Sequence, residues 1–255
     1  MSGLQGHRAL VTGAGRGIGR AIAEHLGAEG VAVAIVARTG DEVEEVATAL
    51  RANGATALAL TADLADPAAI AEVLSRATAE LGAIDILVNN AAVIGPLGRF
   101  PAIDIEEWAY ANEINVLAPV RLSHALLPSM LQSGWGRIIN VSTGAVNFPR
   151  RDDAYNAYIA TKMGLEGHSL NLAAELEGSG VTLNIVRPGI VDTAMQTLIR
   201  AQDPNAIGER FHQRFQQRYE EGALLAPDVP ARLIIEALLS EKNGEILAPA
   251  PPPAP

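Results

Sequence analysis

The chain alternates between short, continuous apolar runs and longer stretches in which apolar residues recur every three or four positions. The runs are RALVT (8–12), VAVAIVA (31–37), ATALALT (55–61), IDILVN (84–89), GRIINVS (136–142), VTLNIV (181–186) and a shorter EIL (245–247). None alternates strictly between apolar and polar, so they read as strands covered on both faces, the environment of a parallel sheet. Between them the helical period predicts helices near 17–28, 41–53, 67–81, 104–132, 155–177 and 228–240. Asp66-Pro67 reads as an N-cap followed by proline in the first turn, and Gly54, Gly82 and Gly178 fall where helices should stop. Repeated strand–helix–strand units imply an α/β, doubly wound, seven-stranded parallel sheet with helices on both faces. Residues 1–248 read as one domain. The stretch 194–226 departs from the rhythm and predicts one or two helices outside the sheet plan, where lids are built. The end, 249–255, has five prolines in seven residues, too many for helix or sheet, and reads as a disordered or polyproline-like tail.

Composition narrows the classes. Of 255 residues, 29 are acidic and 19 basic, for a net charge of −10, which argues against nucleic acid as a partner. The absence of cysteine removes disulfides, thiolate nucleophiles and thiolate-bound metals. The five histidines are scattered without ligand spacing, so no catalytic metal is expected. The opening MSGLQGHRALVTG has no long apolar run, so neither signal peptide nor membrane anchor is expected, and the cytoplasm is the expected location.

The chemistry begins at Thr12-Gly13-Ala14-Gly15-Arg16-Gly17-Ile18-Gly19, which follows the first strand and opens the first helix. Gly13, Gly17 and Gly19 let the chain turn sharply, so that backbone N–H groups and the helix N-terminus face a pyrophosphate. An NAD-binding unit places an acid about 20 residues on, for the ribose hydroxyls. Here Arg38 stands nineteen residues past Gly19, and no acid occurs between Gly30 and Gly40. Arg38, helped by Arg16, can neutralise a 2′-phosphate, which points to NADP(H). The plain alternative is two solvated loop arginines.

Four further segments join this turn: Asn89-Asn90-Ala91-Ala92, Asn115, Ser142-Thr143, and Tyr158-Ile159-Ala160-Thr161-Lys162. In this order they resemble the short-chain dehydrogenase/reductase family, from about residue 6 to 247. The resemblance implies a Rossmann-type sheet and a set of roles. Tyr158 exchanges a proton with the substrate oxygen. Lys162, four residues on and so on the same helix face, holds the nicotinamide ribose and favours the phenolate. Thr143, or Ser142 as the second choice, polarises the carbonyl, and Asn115 supports a water-linked proton relay. For the dinucleotide it implies Gly13, Gly15, Arg16, Gly17, Ile18 and Gly19 at the phosphates, and Arg38, Asp63 and Leu64 at the adenosine. Asn90 and Ala91 are expected near the adenosine ribose, with Tyr158, Lys162, Pro188, Gly189, Ile190 and Thr193 around the nicotinamide. Thr143 in place of the usual Ser, Ala92 in place of Gly and the bulky Ile159 are departures.

The expected function is NADP(H)-dependent reduction of a ketone or aldehyde, a 3-oxoacyl thioester among them, by hydride transfer. An NAD-dependent alcohol or polyol dehydrogenase is the alternative within the class, and a non-catalytic dinucleotide sensor the alternative outside it. Family likeness also implies a homotetramer or homodimer built on helices 104–132 and 155–177. Near the substrate, Ile207, Phe211 and Phe215 form an apolar stripe beside Arg210, Arg214 and Arg218, either a lid over the substrate or a packed amphipathic helix. Tyr155 either lines the pocket or is a packed core aromatic. Arg150–Asp153 either rims the pocket or is a polar loop.

Overall fold

The computed structural model describes residues 3–149 and 154–250. Seven strands, β1 (Arg8–Thr12), β2 (Ala32–Ala37), β3 (Ala57–Thr61), β4 (Ile86–Asn89), β5 (Gly136–Val141), β6 (Val181–Val186) and β7 (Ile246–Leu247), form one sheet in the order β3-β2-β1-β4-β5-β6-β7. Every pairing is parallel, with Leu10 of β1 opposite Ala34 on one side and Leu87 on the other. The sequence order reverses between β1 and β4, so a crevice opens beyond the carboxyl ends of these strands.

The continuous apolar runs have a simple cause. Along β1, Ala9 and Val11 face one layer and Leu10 the other. Helices α1 (Gly17–Ala28), α2 (Gly40–Ala52) and α10 (Asp228–Leu239) cover the first face, through Ile22, Leu26, Val46 and Ile234. Helices α3 (Pro67–Leu81), α5 (Ala118–Ser133) and α6 (Asn156–Glu175) cover the second, through Ile70, Val73, Leu122 and Ala173. Burying each Leu- or Ile-sized side chain contributes about 1.5–3 kcal/mol, and both strand faces must therefore be apolar. One polar thread runs through the second layer. Asn89 Nδ2 donates to Asn140 Oδ1 (2.8 Å), Asn140 Nδ2 to Ser169 Oγ (2.8 Å), and Ser169 Oγ to the Leu165 carbonyl (2.6 Å). It ties β4 and β5 to α6.

Helix boundaries follow the local signals. The Asp66 side chain accepts the Ala68 N–H at 2.8 Å, and Gly82 ends α3 at φ +93°. Two stretches differ from expectation. The 104–132 helix is α4 (Ile105–Asn112), a π-helical turn at Glu113–Leu117, and then α5. Pro119 has no N–H to return to the carbonyl of Asn115 four residues earlier, and the helix widens there. The 194–226 stretch holds three short helices, α7 (Ala194–Arg200), α8 (Pro204–Ile207) and α9 (Glu209–Glu220). The expected tail beyond 250 and the Arg150–Asp153 segment lie outside the described residues. Among the described residues no helix is long and apolar enough to cross a membrane.

The approaches to β5 and β6 touch at two glycines, Gly134 (φ +68°) and Gly180 (φ +82°), and a Cβ on Gly180 would run into the Gly134 carbonyl. Gly180→Ala is expected to lower unfolding free energy by about 1–3 kcal/mol, read from the denaturant midpoint.

Candidate active site

The glycine turn lies between β1 and α1, at the point where the strand order reverses. Gly13 (φ +64°) and Gly17 (φ +56°) adopt left-handed backbone. A Cβ on Gly13 would lie 2.8 Å from Ala91 Cα, and one on Gly19 would collide with the Gly13 carbonyl. No side chain caps the start of α1 and no acid stands in its first turn, so its N–H groups are presented outward to an anion. These residues fit a pyrophosphate. Ile18 packs its side chain against the core behind the turn.

The Asn90 side chain is engaged within the protein. Its Nδ2 donates to the carbonyls of Thr12 (2.9 Å) and Gly13 (3.1 Å), while the Thr12 hydroxyl accepts the N–H groups of Asn90 and Ala91, each at 3.0 Å. The Asn90 side chain shapes the glycine turn from behind. Leu64 is likewise buried in the core layer under α3, leaving only its backbone for a ligand.

At the end of β2, Arg38 Nη1 donates to the Tyr110 hydroxyl at 2.9 Å, and that hydroxyl donates to Asp63 at 3.0 Å. Asp63 also accepts the Ala65 N–H at 3.0 Å as a turn cap. Burial and the Asp63 hydrogen bond raise the Tyr110 phenol above its ordinary value. Arg16, the expected helper of Arg38, pairs with Glu42 at 3.0 Å.

The last cluster gathers on α6 and the end of β5. Tyr158 and Lys162 share one face of α6, and the Tyr158 and Thr143 side chains are hydrogen-bonded to each other. Thr143 also accepts the Ala145 N–H at 3.2 Å and starts a short 3-10 turn, Gly144–Asn147. Ser142 points elsewhere. Its hydroxyl is buried and, among the described residues, has no hydrogen-bond partner. Lys162 is only 1% exposed, and its ammonium donates to the Val141 carbonyl at 2.6 Å. Burial pushes the half-buried Tyr158 phenol up to about 12, the Thr143 hydrogen bond pulling the other way. Burial draws Lys162 down to about 8, opposed by the field of the Glu166 carboxylate. The expected acidification of Tyr158 by Lys162 is therefore not a property of the protein alone. The ammonium is aimed at a strand carbonyl, and burial sets the direction of the Tyr158 shift, with Thr143 opposing it.

Asn115 is fully buried on the π turn, with Oδ1 accepting the Val93 N–H (2.9 Å) and Nδ2 donating to Val93 O (2.9 Å) and Thr161 Oγ1 (3.0 Å). Its side chain clamps the segment after β4 to α6.

The turn after β6 completes the crevice. Pro188 is buried, Gly189 has φ +79°, and the Ile190 carbonyl accepts the Leu225 N–H at 2.8 Å, so a backbone contribution to a ligand falls to the Ile190 N–H. Thr193 faces the glycine turn: a Cβ on Gly17 would lie 3.3 Å from its methyl. Over the crevice, Ile207, Phe211 and Phe215 are buried with Ile94, Ile199 and Tyr155. Tyr155 meets Phe211 at 4.8 Å between ring centroids and Tyr158 edge-on at 6.2 Å. The stripe is thus a packed helix face, and the packing reaches Tyr158 itself.

The profile for short chain dehydrogenases matches residues 7–204. The chain belongs to the short-chain dehydrogenase family. It is 34% identical over 247 residues to "Short chain dehydrogenase MYCFIDRAFT_6125" of Pseudocercospora fijiensis, covering 94% of this chain and 79% of that one. It is 40% identical over 192 residues to the 3-oxoacyl-acyl-carrier-protein reductase FabG of Escherichia coli, covering 75% and 76%. Among solved structures, the KRED1-Pglu enzyme superposes with a TM-score of 0.86 at 30% identity, covering 94% of this chain and all of that one. L-sorbose reductase from Gluconobacter frateurii, complexed with NADPH and L-sorbose, superposes with a TM-score of 0.83 at 28% identity, covering 96% and 95%.

Within this short-chain dehydrogenase three side chains at the site escaped the sequence reading: Tyr110, Glu166 and Arg187. The chain carries only two lysines, Lys162 and Lys242, against seventeen arginines, a bias that singles out position 162. Because the Ser142 hydroxyl is buried without a partner, Ser142→Ala is expected to leave stability unchanged or raise it by about 1 kcal/mol, as read by thermal and denaturant unfolding.

Proposed function

We propose that the protein is an NADP(H)-dependent reductase of ketones or aldehydes, with 3-oxoacyl thioesters among its candidate substrates. The observation that carries this reading is the hydrogen-bonded Thr143–Tyr158 pair with Lys162 one turn further along α6. When bound, the dinucleotide supplies the hydride for the carbonyl carbon. The rest falls to the chain. Gly13, Gly15, Gly17, Ile18 and Gly19 offer backbone to the phosphates. Pro188, Gly189, Ile190 and Thr193 form the wall around the nicotinamide. Arg38, oriented by Tyr110 and Asp63, meets the 2′-phosphate, while Leu64, Ala91 and the turn shaped by Asn90 border the adenosine. Arg16 can join Arg38 only by leaving Glu42.

Thr143 positions the substrate oxygen, and Tyr158 donates its proton to that oxygen as the hydride arrives at carbon, converting C=O to CH–OH. A phenol pushed up to about 12 holds its proton at neutral pH, which suits the reducing direction. When the dinucleotide binds, Lys162 shares its ammonium, held at the Val141 carbonyl, with the ribose hydroxyls, and Asn115 supports the water-linked relay that returns a proton to Tyr158. The FabG likeness and the NADPH in the L-sorbose reductase crystal support both substrate class and cofactor. Exposed Met163 and Leu170 on α6 and Leu131 on α5 support association between copies. The cytoplasm is the proposed location.

One observation favours a second reading, use of NAD(H). Glu42 Oε2 would lie 3.0 Å from a Cβ on Gly15, which makes it an acid beside the glycine turn.

In NADPH-coupled assays over a carbonyl panel, Arg38→Asp should lower kcat/KM for NADPH about 10–100-fold and spare NADH. Wild type that clearly prefers NADH would refute the 2′-phosphate reading. Tyr158→Phe, by the same assay, should lose about 10²–10⁴-fold in kcat while still binding NADPH. Thr143→Val should lose turnover where Ser142→Ala does not. NADPH binding without turnover of any carbonyl would favour the sensor.

A further inference from the structure

We propose that the buried Glu166–Arg187 pair is a positioning device for the active site, one that sets the field around the Lys162 ammonium and fixes the Thr143 turn against the strand leading to the nicotinamide-side wall. The proposal rests on the assignment of Lys162 and Thr143 made above.

Glu166 lies one helical turn beyond Lys162 on α6, on the same face, and is itself 8% exposed. A carboxylate is rarely so buried without a partner. Arg187, at the end of β6, supplies it as a fork: Nε donates to Oε1 at 2.9 Å and Nη2 to Oε2 at 2.7 Å. The third guanidinium arm, Nη1, donates to Asn147 Oδ1 at 2.9 Å, in the short turn that starts after Thr143. The backbone N–H of Arg187 donates to the Leu247 carbonyl at 2.8 Å. Pro188, Gly189 and Ile190 follow directly. One guanidinium thus joins the helix of Tyr158 and Lys162, the turn of Thr143 and the strand feeding the 188–193 wall.

The electrostatics give the arrangement a sign. From α6, Lys162 faces Tyr158 and Glu166, from β5 the Val141 carbonyl, and from β6 the Arg187 cation beyond Glu166. Glu166 supplies the attraction that opposes dehydration of the ammonium. Arg187 satisfies the carboxylate geometrically and moderates its pull on Lys162. Removing the acid and removing the arginine should therefore move Lys162 in opposite directions. General loosening of the fold cannot do that, because added solvent pushes both variants the same way.

The two-lysine composition makes the measurement clean. In protein labelled with [ε-13C]lysine, NMR titration shows two side-chain signals, with exposed Lys242 as internal reference. Glu166→Gln is expected to lower the Lys162 midpoint by about one pH unit from its value near 8. Arg187→Met is expected to raise it, and Glu166→Asp to keep it close to wild type. The basic limb of NADPH affinity against pH should follow each midpoint. An unmoved Lys162 signal in folded Glu166→Gln, or shifts of the same sign in the acid and arginine variants, would overturn the proposal. If Glu166→Gln does not fold, a fall or no change in the Arg187→Met midpoint overturns it alone. The titration needs no substrate. A protein that reduces no carbonyl yet shows the opposed shifts keeps the device and loses the reductase reading.

Discussion

A dehydrated ammonium must be given oxygens or surrender its proton, and this constraint at Lys162 organises the centre of the molecule. The strand end of β5 offers the Val141 carbonyl, and helix geometry sets Glu166 within its field. That buried acid in turn requires the Arg187 fork, and Arg187 reaches on to Asn147. Each partner is recruited by the desolvation cost of the one before it, so the sequence of satisfied groups spreads from one charge to three elements. The Asn89–Asn140–Ser169 thread does the same for neutral polar groups on the neighbouring face, and it also ends on α6. Helix α6 is thereby fixed against β4 and β5 by polar contacts of definite geometry, where apolar packing alone would tolerate sliding.

The parallel sheet makes these contacts possible. All strand carboxyl ends lie along one edge, so Thr12, Asn90, Val141 and Arg187, far apart in sequence, arrive side by side. The glycine turn depends on the same edge. Asn90, from the end of β4, fills the space behind it and holds two of its carbonyls. Ala91 stands so close to Gly13 that a side chain at 13 has no room. The anion cradle is thus shaped from outside the turn as much as by its own glycines.

Strands and helices were legible because burial on both faces leaves uninterrupted apolar runs, and because Asp66-Pro67 and Gly82 act locally. The glycine turn, Arg38 and the Tyr158/Lys162 spacing were legible for the same reason: each is a short-range pattern. What escaped notice depends on partners distant in sequence. Arg187 lies 21 residues from Glu166, and neither residue is unusual by itself. Tyr110 lies 72 residues from Arg38, and nothing in WAYAN marks its hydroxyl as the bridge to Asp63. The π turn left a trace that could have been read, a proline four residues past Asn115, where the missing N–H forbids a regular α-helical bond. Thr143 and Ser142 could not be told apart by counting. The end of β5 separates them in space: the Ser142 N–H is taken up by the Val186 carbonyl and its side chain faces the interior, while the Thr143 side chain meets Tyr158.

The same ammonium sets function against stability. A lysine whose folded midpoint is drawn down to about 8 from an ordinary 10.5 binds its proton less tightly in the fold than in the unfolded chain. Below about 8 both states are protonated, and the fold carries the whole cost, on the order of a few kcal/mol. As pH rises from about 8 towards 10.5, the native state sheds the proton first and that cost is relieved. Glu166 reduces the penalty without cancelling it. A neutral, apolar side chain at 162 would remove the penalty altogether, and the polar network around Val141, Glu166 and Arg187 would then have no charge to serve. The fold keeps a destabilising cation beside Tyr158 and Thr143, where low-dielectric surroundings strengthen its field.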